Sequence, residues 1–294
     1  MRNLIKKLWF IPLIFLFYSC STAPAPVVEK TPKSSQDSDK QESGVKAPVW
    51  VTINVDEYFV SQETVKYEDG FVDGYRLYEY DESGKILKKA QIGSDETVIS
   101  EELFSYNSDK LLVKSEFLSS GKVVSYSQYT YNENKRIIEE AYFNPLGELL
   151  SVSSYEYDEK GRRSKWVSGD SGGIPMLYTE YDYKDERLVQ MNYHMPTGEL
   201  EGYTQLEYKG DLLTLEATYT SNGKLEKKTV YQLDGDRVVQ AQYYTGNTLI
   251  RTIEFAYDGA GNIIEETTKN RYGDVIDIIE KEYVVFSVER TVLQ

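Results

Sequence analysis

The chain has 294 residues, 48 acidic against 33 basic, and a formal net charge of −15. Removing residues 1–19, which hold Arg2, Lys6 and Lys7 and no acid, leaves −18; such a surface repels nucleic acid and anionic lipid, so neither is expected as a broad partner. One cysteine, Cys20, excludes an internal disulfide, and a lone histidine, His194, makes no transition-metal site.

Residues 1–20 read MRNLIKKLWFIPLIFLFYSC. A basic start precedes an apolar core, Leu8 to Tyr18, which is too short to span a bilayer comfortably. This pattern predicts an export signal over 1–19. Phe17-Tyr18-Ser19-Cys20 resembles a bacterial lipobox, whose cysteine is diacylated and becomes the new N-terminus. The resemblance implies lipidation at Cys20 and a stable membrane anchor, because each buried CH2 contributes about 0.8 kcal/mol. The competing reading is an ordinary signal peptide cut after Ala23 or Ala25. Residues 20–48 follow as the modified cysteine and a tether. From 21 to 48 the chain is rich in Ser, Pro, Lys and acids, has no aromatic residue, and cannot bury a core.

From 49 to 294 the sequence repeats. Anchors fall at Val55, Tyr80, Tyr106, Tyr131, Tyr157, Tyr183, Tyr208, Leu233, Tyr257 and Tyr283, spaced 24 to 26 residues apart. Fixed-period self-similarity marks a repeat architecture. Two residues before each anchor stands another aromatic or aliphatic side chain, from Ile53 and Tyr78 through Phe255, except Lys281 in the last unit. Residues two apart on a strand share a face, so each anchor strand carries an apolar pair. Turn signals follow most anchors, as in Asp158-Glu159-Lys160-Gly161 and Asp258-Gly259-Ala260-Gly261, and a second glycine follows 13 to 16 residues past most anchors. The returning strands alternate: Val189, Met191 and Tyr193 against Gln190, Asn192 and His194. The expected fold is all-β: a long antiparallel meander of about ten two-strand hairpins, with the tyrosines in a buried stripe, curled or coiled into an extended sheet. A five-bladed propeller is the weaker alternative, because neighbouring units show no odd–even alternation.

Tyr155-Glu156-Tyr157-Asp158-Glu159-Lys160-Gly161-Arg162, and its close copy Tyr78 to Lys85, resemble the YD repeat of RHS-family proteins, with looser copies over residues 53 to about 294. The resemblance implies an extended, often spiralling hairpin sheet that can wrap a shell. The units here are longer than the common YD repeat, and the array runs almost to Gln294.

Candidate chemistry is sparse. Gly169-Asp170-Ser171-Gly172-Gly173 matches a serine-protease nucleophile motif, but His194 lies after Ser171, the wrong chain order, and Gly173 falls at the second turn of its unit. His194 sits on the polar side of its strand and reads as a solvated side chain. Acidic turns such as Asp234-Gly235-Asp236 supply oxygen ligands but match neither the EF-hand loop nor a Gly-Gly-x-Gly-x-Asp calcium roll, so they read as solvated turns. Glu139-Glu140 and Glu265-Glu266 point to opposite faces of a strand. No catalytic residue, metal or cofactor is expected. The expected function is a membrane-anchored lipoprotein of the bacterial cell envelope (outer membrane, periplasmic or surface side) with a non-enzymatic binding or scaffolding role. Its partners would be the membrane through the lipid anchor and an unknown envelope protein or glycan. The alternatives are a carbohydrate- or peptide-binding surface module, marked by exposed aromatic rings, and an envelope enzyme, marked by a cleft of convergent carboxylates.

Overall fold

The structure, a computed structural model, describes residues 50–293, with side chains described from 55 to 287. The signal, Cys20 and the tether lie outside the described residues. The strands are β1 (Trp50–Lys66), β2 (Val72–Tyr80), β3 (Ile86–Gly93), β4 (Val98–Tyr106), β5 (Leu112–Ser119) and β6 (Lys122–Tyr131). There follow β7 (Ile137–Phe143), β8 (Leu149–Tyr157), β9 (Arg163–Asp170), β10 (Pro175–Lys184), β11 (Arg187–His194) and β12 (Leu200–Lys209). The last six are β13 (Leu212–Thr220), β14 (Leu225–Asp234), β15 (Arg237–Thr245), β16 (Thr248–Tyr257), β17 (Ile263–Asn270) and β18 (Val275–Leu293).

Each strand pairs antiparallel with the strands before and after it in sequence. β18 then pairs with β1, from Trp50↔Leu293 to Lys66↔Ile278. Every described strand therefore has two partners, and the sheet is an up-and-down barrel without a free edge. This confirms the antiparallel meander and corrects the extended sheet, because the two ends meet. It also corrects the count. Val55 lies within β1 opposite Val288 and is not followed by a turn, so eighteen strands form nine anchor units. With strands about 4.8 Å apart and tilted about 40°, a circular section of eighteen strands is about 35 Å across.

Closure follows from bulges. The register slips at the anchor of every unit, for example between Glu156 and Tyr157 and between Asp182 and Tyr183, and at the seam between Val60 and Gln62, beside Tyr283. A second slip sits near the other end of each hairpin, as between Tyr142 and Phe143. A bulge bends a strand and increases its twist, so a bulge at both ends of short strands curls the sheet evenly.

The anchor tyrosines lock these bulges. Tyr157 Oη donates to the Ile137 carbonyl at 2.6 Å, and Ile137 is the residue paired with the preceding anchor, Tyr131. The rule repeats: Tyr106 to Ile86, Tyr131 to Leu112, Tyr183 to Arg163, Tyr208 to Leu188, Tyr257 to Val238 and Tyr283 to Ile263, all between 2.6 and 3.0 Å. It also crosses the seam. Tyr283 is paired with Val60, and Tyr80 Oη donates to the Val60 carbonyl at 2.8 Å. Leu233 interrupts the ring, since its side chain has no hydroxyl to offer. Basic side chains lie over several of these rings, Arg162 on Tyr183 at 4.3 Å and Arg136 on Tyr157 at 5.6 Å.

The turn after Tyr157 shows how the hairpins are tied. Asp158 Oδ1 accepts from the Arg162 amide at 2.8 Å. The Gly161 amide donates back to the Asp158 carbonyl, with Gly161 at φ +79°, where glycine is unstrained. Asp81, Asn132, Asn144, Asp170, Asp258 and Asn270 accept amides in the same way.

The barrel has almost no hydrophobic core. Among the described residues the buried apolar side chains are Ala90, Leu206, Ala217 and Ala241. The tyrosine stripe expected to be core is half-buried. A wall whose inner side chains are only partly covered encloses water, as eighteen-stranded barrels do.

Two predictions follow from the anchor ring. Tyr157→Phe removes one hydroxyl-to-backbone bond and should lower stability by about 1 kcal/mol, whereas Tyr157→Ala, which also removes the half-buried ring, should cost about 2–3 kcal/mol. Equal melts for the two variants would show that the hydroxyl rather than the ring carries the effect. Leu233→Tyr should complete the ring by donating to Leu213, the residue paired with Tyr208. It is expected to raise stability by about 0.5–1 kcal/mol in a denaturant titration, and a loss would exclude that geometry.

Candidate functional site

Opposed residues of an antiparallel ladder share a face, so the registers sort the side chains into two sets. One set carries the tyrosines two residues apart, the Ser and Thr residues 115, 125, 127, 179, 204, 218 and 268, and charged groups including Glu63, Arg76, Glu216 and Lys281. Eight of the ten buried polar side chains among the described residues lie on it. Burial pushes the hydroxyls of Tyr78, Tyr129, Tyr155, Tyr193 and Tyr243 above the ordinary tyrosine value, and all five belong to this set. Curvature crowds side chains on the concave side, so this face lines the lumen.

The other face is outward and strongly charged. Lys88 sits between Glu101 at 2.7 Å and Glu79 at 3.6 Å. Lys114 pairs with Glu116 at 2.8 Å and Lys269 with Glu254 at 2.6 Å. Aromatic pairs stack between them: Tyr126 on Phe143 at 4.9 Å and Tyr203 on Tyr219 at 5.1 Å. A lipid-facing barrel needs an apolar band about 25 Å tall, and each Lys or Arg at its midplane costs roughly 2–4 kcal/mol. Charged residues stand in mid-strand on both faces, so neither face offers that band.

The lumen wall holds its charges in pairs, most densely at the seam. Glu63 Oε2 accepts from Arg76 at 2.9 Å and from Tyr78 Oη at 3.0 Å. Glu63 Oε1 accepts from Lys281 Nζ at 2.9 Å, and Lys281 reaches Glu266 at 2.7 Å. The network therefore runs β17–β18–β1–β2 across the junction that closes the barrel. Burial alone would raise the Glu63 carboxyl, but the Lys281 charge and the hydrogen bonds from Lys281, Arg76 and Tyr78 outweigh it and hold the group below the usual glutamate range. Burial likewise opposes the Lys281 charge, and Glu266 and Glu63 outweigh it, so this amine is raised. Elsewhere on the wall Glu102 meets Lys89 at 3.4 Å, and Glu140 accepts from Tyr155 at 3.1 Å.

A second feature lies on β13–β15. A hollow of about 260 Å³ opens on the wall between Glu216, Thr218, Lys227, Thr229, Tyr231 and Tyr243, with Lys228 also in its lining but its ammonium over the outward Tyr244 ring at 4.8 Å. Glu216 faces Thr229, which in turn faces Tyr243. A chain of hydroxyls leads to it, Tyr193 to Thr204 at 2.8 Å and Thr204 to Thr218 at 2.8 Å.

The residues singled out from sequence fall as follows. Asp170 accepts the Gly172 and Ile174 amides at 2.8 and 2.9 Å, which makes the Gly169–Gly173 segment a capped hairpin turn. His194 lies on the outward face, but the solvated reading is corrected. Its ring stacks flat on Tyr178 at 4.7 Å, with Glu180 3.4 Å from Nε2, and its side chain is only 15 % exposed. Glu139 and Glu140 take opposite faces, as do Glu265 and Glu266. The nine anchors Tyr80 to Tyr283 form the ring described above. Among the described residues no three His, Cys, Asp or Glu side chains are grouped to hold a metal ion. Alternation alone could not reveal Glu63, Lys281 or Glu216, because their surroundings depend on which strands lie beside them.

No protein-family model matches the sequence, and no curated protein does. Solved structures similar in part include a porin-like protein from Bacteroides uniformis, at 12 % identity over 77 % of this chain and 96 % of that one, with a TM-score of 0.43. A porin-like protein from Bacteroides vulgatus aligns at 13 % identity over 78 % and 99 %, with a TM-score of 0.32. The TcdB2–TccC3 structure aligns at 11 % identity over 74 % of this chain and 15 % of its own, with a TM-score of 0.24. Likenesses at this level say nothing about activity.

The seam network generates a stability prediction. Lys281→Met leaves Glu63 and Glu266 without their shared cation and should cost about 2–4 kcal/mol, read as a lower melting temperature. Glu63, held low, adds stability above the usual glutamate range that is lost as pH falls through its lowered value. Lys281, held high, adds stability below the usual lysine value that is lost as pH rises through its raised value. The Lys281→Met penalty is therefore expected across neutral pH and should shrink in acid. A penalty that grows as pH falls would exclude the network as its source.

Proposed function

We propose that this chain is a lipid-anchored protein of the bacterial cell envelope that carries a hollow, water-filled barrel with a non-enzymatic binding or scaffolding role. The observation that supports this reading is the charge on both faces of the barrel wall. A barrel that cannot present an apolar band stays in water, and its attachment to a membrane then falls to the N-terminal segment. Cys20, in its lipobox-like setting, supplies the anchor. On this reading the 28 residues from 21 to 48 connect that anchor to the barrel domain. The lumen wall, rich in hydroxyls and half-buried aromatic rings, is the surface offered to a ligand, and its charges are largely matched by partners on the same wall.

Partition between detergent and aqueous phases tests this reading. The full chain should enter the detergent phase and Cys20→Ser the aqueous phase, with loss of metabolic labelling by palmitate. A Cys20→Ser protein that stays in the detergent phase and resists alkaline extraction from membranes would mean that the barrel itself inserts.

A further inference from the structure

Glu216 differs from Glu63, Glu102, Glu140 and Glu266 on the lumen wall. Glu63, Glu102, Glu140 and Glu266 each have a hydrogen-bonding or ion-pair partner. Glu216 is half-buried and, among the described residues, takes no hydrogen bond and no ion pair. Burial raises its carboxyl above the ordinary glutamate value, and the charge of Lys227 only partly opposes this. It faces the 260 Å³ hollow, whose rim pairs an acceptor, Glu216, with a donor, Lys227, beside the hydroxyls of Thr218 and Thr229 and the rings of Tyr231 and Tyr243. Arg251 lies over the Tyr243 ring at 4.4 Å.

This chemistry selects against charge in either direction. An anion would meet Glu216 and the −15 of the whole chain, and a cation would meet Lys227 and Arg251. A neutral ring bearing adjacent hydroxyls satisfies both sides, since each hydroxyl can donate to the carboxylate and accept from the ammonium or the threonines. Tyrosine rings suit the apolar face of such a ring. The hollow is smaller than the roughly 300–1,000 Å³ of drug-sized sites, which leaves room for a single sugar ring. We propose that the hollow on β13–β15 is a subsite for one neutral pyranose unit of a glycan, with Glu216 as the hydroxyl acceptor and Tyr243 as a stacking surface. This rests on the reading of the lumen as a binding surface, and it does not depend on the lipid anchor.

An unpaired, half-buried carboxylate lowers stability, and retention of such a group in a hollow is the expected trade of stability for binding. Its raised value means that the ionised form is disfavoured in the folded state, so stability is full below the ordinary glutamate value and falls as pH rises through the raised one. Glu216→Gln should therefore raise the melting temperature by about 1–3 °C at neutral pH, and the gain should vanish in acid.

Calorimetric titration of the full chain in detergent with maltotriose, cellotriose and N,N′-diacetylchitobiose tests the subsite. Saturable binding of at least one sugar is expected, with Kd below about 1 mM. Glu216→Gln and Tyr243→Ala should each weaken it by about tenfold or more, and Glu79→Gln, on the outward face, should leave it unchanged. The melting curves that report the Glu216→Gln gain also establish that the variants are folded. No binding of any of the three up to about 10 mM, or binding that neither hollow variant alters, overturns the proposal. Phase partition of the same preparation reads the anchor separately, so failure of one reading is distinct from failure of the other.

Discussion

The barrel depends on one repeated contact: a tyrosine hydroxyl that donates to the backbone carbonyl beside the preceding bulge. A bulge leaves the local ladder disrupted, and an unmatched carbonyl in a half-covered wall costs free energy. Each anchor answers the bulge of its predecessor, so the contacts form a chain around the circumference. The chain passes through the seam without change, because Tyr80 uses Val60, the partner of Tyr283. Eight such bonds at about 1 kcal/mol each match the roughly 5–15 kcal/mol by which ordinary domains are stable. In a protein with four buried apolar side chains among its described residues, that share is large.

The absence of a packed core changes what holds the wall and what it can offer. Stability here is distributed: ladder bonds between neighbours, half-buried rings under basic side chains, and ion pairs within one face. Nothing has to fill the lumen, so side chains there are free to differ in wiring. The seam shows the cost of closing such a ring. β1 and β18 are joined across more than 200 positions of sequence, and their junction carries the densest charge network on the lumen wall. Strand-edge pairing alone is unspecific; Glu63 and Lys281 add a contact that only the correct register satisfies.

Much of this was legible in the sequence, and the parts that were not share a cause. The period, the paired aromatic positions and the Asp- or Asn-led turns are local, and they read directly as strands and hairpins. Closure is not local. Its trace was present in two places, since neither Val55 nor Tyr283 is followed by a turn, and both terminal strands run on where all others stop. Read singly, Val55 looked like a tenth anchor. His194 was placed on its correct face by alternation, yet its burial comes from Tyr178 on the facing strand, sixteen residues earlier. Alternation assigns a face, whereas cover depends on what the neighbouring strand presents.

The same distinction separates the carboxylates of the lumen. Glu63 and Glu216 are the same residue type on the same face, and burial acts on both in the same direction. At Glu63 two cations and a phenol outweigh burial, so the charge is stable and inert: it is fully engaged in closing the ring. At Glu216 only Lys227 opposes burial, so the group remains partly unsatisfied and its acceptor capacity is unused. A folded wall tolerates the first arrangement for its own sake. The second raises the free energy of the empty protein, and that penalty is relieved by a group able to donate hydrogen bonds without bringing charge. The argument from stability and the argument from ligand chemistry thus converge on β13–β15, where the wall leaves space as well as an unmet acceptor.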